Sequence, residues 1–455
     1  MANVHLLVLI HGMWGNPSHL ACMREVIQEV KGNMCSEQTE FAILVAETNR
    51  DEWTYDGIDW GGERVAEEIM NEVSKYETQG RRVDRFSVMG YSLGGLVARY
   101  VVGILHQNKF FDTITPVNFN TVATPHIGVP KFPTAMSTIS SYVGRNFLSR
   151  TGEQFFCTDK WSPKGRPLVE VLGDPEYIFY QALLLFKNIS IYANTINDRT
   201  VPYVTAAIEP TDPFSEYRTN GVEIEFNEKY EHVIKSYTLP ASPPLRGPDR
   251  PPLLNRISTA FPPIPPLFRF GYPLNLVSYS DRPLIWMQIE AARSQLVFPF
   301  LPLLIPALLS YLLVRLSISS KNSRKRLQSL EANSSARERL IHIIAELERE
   351  IETTALDVYE HPGGSLSNDS QTVDSELVLE TKTAPNQRRS RRPHLTPGQL
   401  RCIENLNKIP HLKKTLVFFP DVPNSHAMII ARDLKFEHHQ KGYAILRHWA
   451  DHFEL

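Results

Sequence analysis

Three residue types that together can hydrolyse an ester follow one another along the chain: a serine, then an aspartate, then a histidine. Ser92 lies in the stretch FSVMGYSLGG, between Gly90 and Gly94. This pattern is typical of a nucleophile elbow, a strained turn between a strand and a helix in which glycines leave room for the crowded backbone. Gly-x-Ser-x-Gly also occurs in ordinary turns, so the interpretation depends on whether the chain supplies an acid and a base.

Candidates for the acid and the base both come after the elbow. The stretch ISIYANTINDRTVPY predicts a strand that runs into a loop presenting Asp198, and KKTLVFFPDVPNSHAMIIARD predicts a late strand, a loop with His426 and then a helix. His126, in VATPHIGVP, is the alternative base. It precedes Asp198, however, and so breaks the order serine, acid, histidine. The sequence therefore favours Ser92, Asp198 and His426.

The oxyanion formed during acyl transfer needs donors close to the serine. The first apolar run ends in His11-Gly12, where a tight loop can aim the next backbone N–H inward. We assign this role to the backbone N–H groups of Met13 and Leu93. Such donors each contribute roughly 3 kcal/mol of transition-state stabilisation.

The elements that must position these residues follow from the hydrophobic periodicity. Nearly continuous apolar runs predict strands that are covered by helices on both faces of a sheet. The predicted strands are 4–10, 41–47, 84–89, 117–123 and 189–195, and the predicted helices are 61–78 and 93–107. This alternation predicts the α/β class, with a mainly parallel, doubly wound sheet.

The bulk composition gives no indication of nucleic-acid binding, a metal site or a dense disulfide framework. The 455 residues carry a formal net charge of −2, which gives no reason to expect nucleic acid as a partner. The four cysteines contain no Cys-x-x-Cys pair, so neither a metal site nor a dense disulfide framework is indicated, and no cofactor is expected. We interpret the start, MANVHLLVLIHG, as a first core strand rather than a signal peptide, with the catalytic part in the cytosol.

The composition changes along the chain and predicts five parts. Residues 1–210 form the first part of the core, with the nucleophile and the acid. Residues 211–295 form a proline-rich linker or insert. Residues 296–355 combine an apolar membrane-associating segment, a basic cluster and an amphipathic helix. Residues 356–398 are a disordered linker, and 399–455 form the second part of the core, with the catalytic histidine.

Five motifs taken together resemble a known family. They are LIHGMWG, GYSLGGLVARY, ATPHIGV, NDRTVPY and NSHAMIIARD, and they resemble the "putative serine esterase" family of eukaryotic α/β-hydrolases, with the fungal lipid-droplet phospholipases as the most similar branch. The resemblance covers 3–210 and 399–455. It implies the α/β-hydrolase fold with Ser92, Asp198 and His426 as the catalytic triad, and it places His126 in a structural motif beside the site.

The most apolar window, LVFPFLPLLIPALLSYLLVRLSI at 296–318, is long enough to span a bilayer. It lies between Asp198 and His426, and a single crossing would put these two residues on opposite sides of the membrane. Its three prolines favour a kinked or re-entrant segment, so we predict monotopic insertion. The basic residues of 321–326 would lie among anionic headgroups. Removing 296–318 is then expected to leave hydrolysis of a soluble ester intact.

The sequence leaves the use of residues 127–188 open. They form a longer connection than two strands need and include the apolar stretch YIFYQALLLF. A lid with an acyl-chain pocket and a set of extra packing helices are equally compatible with this composition.

These features predict a serine-dependent acyl-ester hydrolase. The resemblance and the apolar segment favour glycerophospholipid as the substrate. We expect the enzyme to act at a lipid-droplet monolayer or at the cytosolic face of an intracellular membrane. Three alternatives stay open. A neutral glycerolipid lipase or an acyltransferase would use the same residues, and a non-catalytic membrane adaptor would use only the hydrolase fold.

Overall fold

The computed structural model describes residues 3–32, 39–162, 164–240, 301–333 and 392–455. Most of the predicted proline-rich insert, the start of the apolar window and most of the predicted disordered linker lie outside the described residues.

One parallel sheet forms the centre of the protein. Its six strands lie in the order β2-β1-β3-β4-β5-β8, and every neighbouring pair is parallel. The strands are β1 (Asn3–Ile10), β2 (Thr39–Val45), β3 (Arg82–Tyr91), β4 (Thr115–Val122), β5 (Asn188–Asn194) and β8 (Leu412–Val417). The five strands predicted from the apolar runs are confirmed, each within a few residues of its predicted bounds.

Helices cover both faces of the sheet. They are α1 (Ala21–Lys31), α2 (Ile58–Thr78), α3 (Leu93–Gln107), α4 (Ala135–Phe147), α5 (Ser149–Phe155), α6 (Leu168–Leu172), α7 (Ile178–Leu184), α8 (Tyr203–Ala206), α9 (Leu301–Ala332), α10 (Pro397–Asn407), α11 (Glu437–Gln440) and α12 (Tyr443–Asp451). Short 3₁₀ helices occur at Pro17–Leu20, Asp51–Tyr55 and Phe110–Asp112.

Strand β1 shows why its apolar run is continuous. Leu6 and Val8 belong to the core under α2, α3 and α7, whereas Leu7 and Leu9 belong to the core under α1 and α12. Successive side chains point to opposite faces of a strand, so a strand that is covered on both sides needs an apolar residue at every position. The result is a three-layer α/β/α arrangement with the α/β-hydrolase fold.

The stretch YIFYQALLLF forms α7 and packs into the core. Phe179 stacks on Tyr100 of α3 with ring centroids 5.0 Å apart, and a Cβ at Gly103 would lie 2.2 Å from the Phe179 ring. Of the two uses that the sequence left open for this stretch, the structure shows packing.

The structure adds detail at two of the predicted boundaries. Residues 211–240, the described start of the predicted linker or insert, contain the antiparallel hairpin β6 (Glu223–Phe226) and β7 (Ile234–Thr238), and Phe214 is fully buried. The second part of the core begins before residue 399, because the His394 N–H donates to the Lys131 carbonyl at 2.7 Å and Thr396 caps α10.

Of the window predicted to be kinked or re-entrant, the described part from Leu301 onward is a continuous helix, α9, which includes Pro306. Its second half packs on the Asp51–Tyr55 turn, where Ser323 donates to the buried Asp56 carboxylate at 2.6 Å. Arg326, expected among lipid headgroups, instead pairs with the same carboxylate at 2.9 Å. Within the described part of the chain, no helix combines the length and apolar character needed to cross a membrane.

Candidate active site

The turn between β3 and α3 holds Ser92 in a strained backbone conformation. Its φ is +54° and its ψ is −122°, a region that residues other than glycine rarely adopt. The Ser92 N–H donates to the Val122 carbonyl at 2.9 Å, which fixes the turn at the carboxyl edge of the sheet. A Cβ at Gly94 would lie 2.2 Å from the Ile10 carbonyl oxygen, so only glycine fits where α3 passes β1. The strand–elbow–helix arrangement predicted from the motif is present.

The structure brings Ser92, His426 and Asp198 together in one chain of hydrogen bonds. His426 Nε2 lies 3.0 Å from Ser92 Oγ, and His426 Nδ1 lies 2.9 Å from Asp198 Oδ2. Ser92 is 5% exposed and His426 9% exposed, so little solvent screens the three groups. In this arrangement the imidazole can accept the serine proton while the carboxylate stabilises the imidazolium that forms.

Asp198 lies among donors that keep it ionised. Burial alone would raise its pKa, but the electrostatic interaction and hydrogen bond with His426, together with the Val201 N–H and the Asn194 amide, hold the pKa below its usual range. Thr200 and Val201 donate their backbone N–H groups to Oδ1 at 2.9 and 2.8 Å, and Asn194 donates to Oδ2 at 2.9 Å. The carboxylate therefore has a fixed orientation toward His426.

The loop that carries His426 is held by contacts that the sequence analysis did not identify. The Tyr91 hydroxyl donates to the His426 carbonyl at 3.0 Å, and the two rings lie 5.1 Å apart. The Ser425 N–H donates to the Asn197 carbonyl at 3.0 Å. Tyr91 precedes the nucleophile directly, which is the one signal in the sequence that could have pointed to it. The helix predicted after His426 is wrong, since hydrogen-bonded turns follow instead.

Of the two assigned oxyanion donors, Leu93 follows the serine in the chain, and Met13 lies in a loop that packs against it in the fold. Leu93 is the first residue of α3, where backbone N–H groups have no partner within the helix. Met13 follows Gly12, and a Cβ at Gly12 would lie 2.8 Å from Ser92 Cβ, so this loop lies directly against the nucleophile. Among the described turns and caps, neither N–H is paired with a backbone acceptor.

His126 lies in a different environment from His426. Its Nε2 pairs with Thr121 Oγ1 at 2.9 Å, and its carbonyl accepts from Arg99 at 2.8 Å. Burial, followed by the positive charges of Arg99 and Lys414, holds the pKa of His126 far below its usual value. A neutral, hydrogen-bonded imidazole without a bond to Ser92 is a packing group. The structure thus pairs Ser92 with His426.

Comparison with known proteins gives one family match, in the first part of the chain. Residues 1–210 match the family model described as "Putative serine esterase (DUF676)". The match includes Ser92 and Asp198, whereas His426 lies beyond it.

Two curated fungal proteins are similar to about half of this chain. "Putative lipase C4A8.10" of Schizosaccharomyces pombe is 32% identical over 212 residues, which are 46% of this chain and 26% of that protein. "Putative lipase ROG1" of Saccharomyces cerevisiae is 28% identical over 245 residues, which are 52% of this chain and 33% of that protein. The chain thus spans about a quarter to a third of the curated relatives it matches.

Among solved structures, an extracellular alpha/beta-hydrolase from a Paenibacillus species is 14% identical. The likeness covers 46% of this chain and 84% of that chain, with a TM-score of 0.27. A likeness this low has no bearing on function.

Proposed function

We propose that this protein is a serine-dependent lipid acyl-ester hydrolase, a phospholipase that acts on glycerophospholipids at a lipid-droplet or membrane surface. The observation that carries the proposal is the hydrogen-bonded chain from Ser92 Oγ through His426 to Asp198, at 3.0 and 2.9 Å. It is supported by the family match of residues 1–210 and by the lipase names of the relatives.

Acylation begins when Ser92 Oγ attacks the ester carbonyl carbon and His426 Nε2 accepts the hydroxyl proton. The carbonyl oxygen becomes an oxyanion, which the N–H groups of Met13 and Leu93 stabilise. The tetrahedral intermediate then collapses. The bond to the alcohol oxygen breaks, His426 gives its proton to that oxygen, and the acyl group stays on Ser92.

Deacylation repeats these steps with water. His426 removes a proton from the water, whose oxygen attacks the acyl carbon, and the bond to Ser92 Oγ breaks as the serine regains its proton from His426. Free fatty acid leaves. An acyltransferase would differ only in using an alcohol in place of water.

A fluorophosphonate probe and a lipid assay test this function. We expect the wild type to be labelled and to release fatty acid from phosphatidylcholine vesicles, and Ser92→Ala to do neither. Ser87→Ala is the matched control, because Ser87 is a fully buried serine on the same strand whose hydroxyl bonds His5 at 2.8 Å, away from the elbow. This control is expected to lose stability but to keep its labelling.

Three results would redirect the proposal. Release of fatty acid from triolein emulsion but not from vesicles would favour a neutral glycerolipid lipase. Acyl transfer to an added alcohol in preference to water would favour an acyltransferase. A folded wild type that is neither labelled nor active would leave the adaptor as the remaining alternative.

An exposed apolar surface on α4 and α9 supports the proposed lipid contact. We call it the α4/α9 surface; its exposed members are Met136, Ile139, Tyr142, Leu303, Leu304, Leu309, Tyr311, Leu313, Val314 and Ile318. Leu303 is 73% exposed and Tyr142 is 62% exposed. The exposed cations Lys321, Arg324 and Lys325 follow on α9, and their charge is complementary to that of anionic headgroups.

Flotation with vesicles that contain anionic lipid tests this contact. Val314→Glu together with Ile318→Glu is expected to reduce the bound fraction at least tenfold, because each change places a charge in the proposed interface. Leu184→Glu, at an exposed leucine of α7, is the matched control and should bind like the wild type. Equal flotation of both variants would refute the assignment of the α4/α9 surface.

A further inference from the structure

The loop that carries Met13 is held by the Asp51–Tyr55 turn. The Asp51 N–H donates to the Gly15 carbonyl at 2.8 Å, and the Trp14 N–H donates to Thr54 Oγ1 at 3.1 Å. The Trp14 indole Nε1 donates to the Tyr55 hydroxyl at 2.8 Å. The loop is thus fixed by three hydrogen bonds from one short turn.

Trp14 needs such support because its backbone is strained. Its φ is +54°, a value that side chains larger than glycine rarely adopt, and such residues persist only where the surrounding contacts hold them. Met13 directly precedes it, and Gly12 lies against Ser92. A change in the Trp14 conformation would therefore move the Met13 N–H relative to the nucleophile.

Tyr55 lies in a turn that α9 contacts. Its side chain is 2% exposed, and burial, before any other influence, raises its pKa to about 12, so the phenol keeps its proton. In the same turn, the Glu52 carboxylate accepts from Ser319 of α9 at 3.1 Å, and the Glu52 carbonyl accepts from Arg326 at 2.9 Å. The turn that holds the strained tryptophan is thus tied to the long helix.

We propose that Tyr55 is a positioning residue for the oxyanion loop, and that α9 holds the Asp51–Tyr55 turn in place through the bond from Ser319 to Glu52. This inference rests on the proposed function, since it assigns Tyr55 to the serine reaction described above. Tyr55 touches no reacting atom. It acts by fixing Trp14 and, through the chain, the Met13 N–H.

Tyr55→Phe removes this hydroxyl and keeps the ring. We expect kcat for a soluble ester, p-nitrophenyl butyrate, to fall about tenfold while KM stays within about twofold, because the oxyanion donor acts in the transition state and not on the bound ester. The rate of Ser92 phosphonylation by a fluorophosphonate should fall by the same factor, because the P=O oxygen takes the place of the oxyanion.

Two further variants separate positioning from general stability. Trp14→Phe removes the donor instead of the acceptor and should cause the same loss, and the double variant with Tyr55→Phe should lose no more than either alone. Tyr180→Phe is the matched control. It also removes a buried hydroxyl, one that donates to the Asn405 carbonyl at 3.0 Å, and it should leave kcat and phosphonylation unchanged.

Ser319→Ala tests the link to α9. We expect about a threefold loss of kcat, and no further loss in combination with Tyr55→Phe, because both changes act on the oxyanion loop through the Asp51–Tyr55 turn. An additive loss would overturn the role of α9.

The failure of this inference is distinguishable from failure of the proposed function. If the wild type is active and Ser92 is labelled, but Tyr55→Phe and Trp14→Phe both keep kcat within twofold, Tyr55 is not a positioning residue and the serine mechanism stands. If the folded wild type neither turns over nor is labelled at Ser92, the proposed function fails and this inference fails with it.

Discussion

Replacing Asp198 by asparagine tests the orienting role of this carboxylate with almost no change in shape. The carboxylate accepts four hydrogen bonds, two at Oδ1 from the Thr200 and Val201 N–H groups and two at Oδ2 from Asn194 and His426. An asparagine has one oxygen acceptor and one NH₂ donor. If its oxygen meets the two backbone N–H groups, its NH₂ faces His426 Nδ1.

The size of the effect follows from this donor count. His426 Nδ1 would have to accept a hydrogen bond, so the proton of the neutral ring would move to Nε2, the atom that must accept the Ser92 proton. The analogous change in serine proteases lowers kcat about 10⁴-fold, which is about 5 kcal/mol at 1.36 kcal/mol per tenfold. We expect a loss of about this size here.

Turnover of p-nitrophenyl butyrate by the purified variant measures this loss, with circular dichroism as a check on folding. Asp212→Asn is the matched control, because Asp212 is also a partly buried aspartate that accepts a backbone N–H, from Phe214 at 2.9 Å, and it lies outside the serine–histidine chain. This control should keep kcat. A folded Asp198→Asn variant with kcat within threefold of the wild type would refute Asp198 as the orienting acid.

Three further predictions concern the serine–histidine pair, the buried carboxylate of Asp212 and helix α9. Ser92→Ala and His426→Ala should each remove nearly all esterase turnover, whereas His126→Ala should mainly lower the melting temperature; full turnover by His426→Ala would contradict this. Burial raises the pKa of Asp212 to about 6, so its ionisation opposes folding above that pH. Asp212→Asn should therefore raise the melting temperature at pH 7.5 but not at pH 4, and an equal shift at both would contradict the cause. Deleting 296–318 was expected from the sequence to leave soluble-ester hydrolysis intact, but it removes two buried leucines of α9. We therefore now expect a lower melting temperature and reduced soluble-ester turnover; unchanged values would show that α9 contributes little to the core.

The sequence predicted the sheet and the elbow because both are local signals. Each parallel strand is an apolar run that needs no distant partner to be recognised, and the glycines around Ser92 report a backbone strain that the structure shows as a φ of +54°. Chain order then selected Asp198 and His426 from several acids and histidines. The hydrogen bonds at 2.9 and 3.0 Å show that the two residues meet at the same edge of the sheet.

The sequence did not predict the contacts that depend on tertiary packing. The prolines of 296–318 suggested a break, yet α9 continues through Pro306, because proline is tolerated where neighbouring packing supports the helix. Arg326 was expected to face lipid because it lies in a basic cluster. Its partner, the buried carboxylate of Asp56, lies 270 residues earlier in the chain, so no local pattern could reveal the pair. Tyr55 and Trp14 were missed for the same reason.

The packing of α9 limits how the chain could meet a lipid surface. Its second half is tied to the core by Ser323 and Arg326, which share the buried Asp56 carboxylate, and Leu312 and Leu316 of its first half are also buried against the protein. A crossing of the bilayer by this helix would expose these leucines and leave the buried Asp56 carboxylate without Ser323 and Arg326, with only its 3.2 Å pair to Arg64 among the described ion pairs. Such a change costs several kcal/mol. A lipid surface can instead take up the outer face, with Leu303 and Val314, without breaking any of these contacts. The proposed lipid contact therefore requires α9 to lie along the surface, which keeps Asp198 and His426 on one side and leaves the Ser319–Glu52 contact to the Asp51–Tyr55 turn intact.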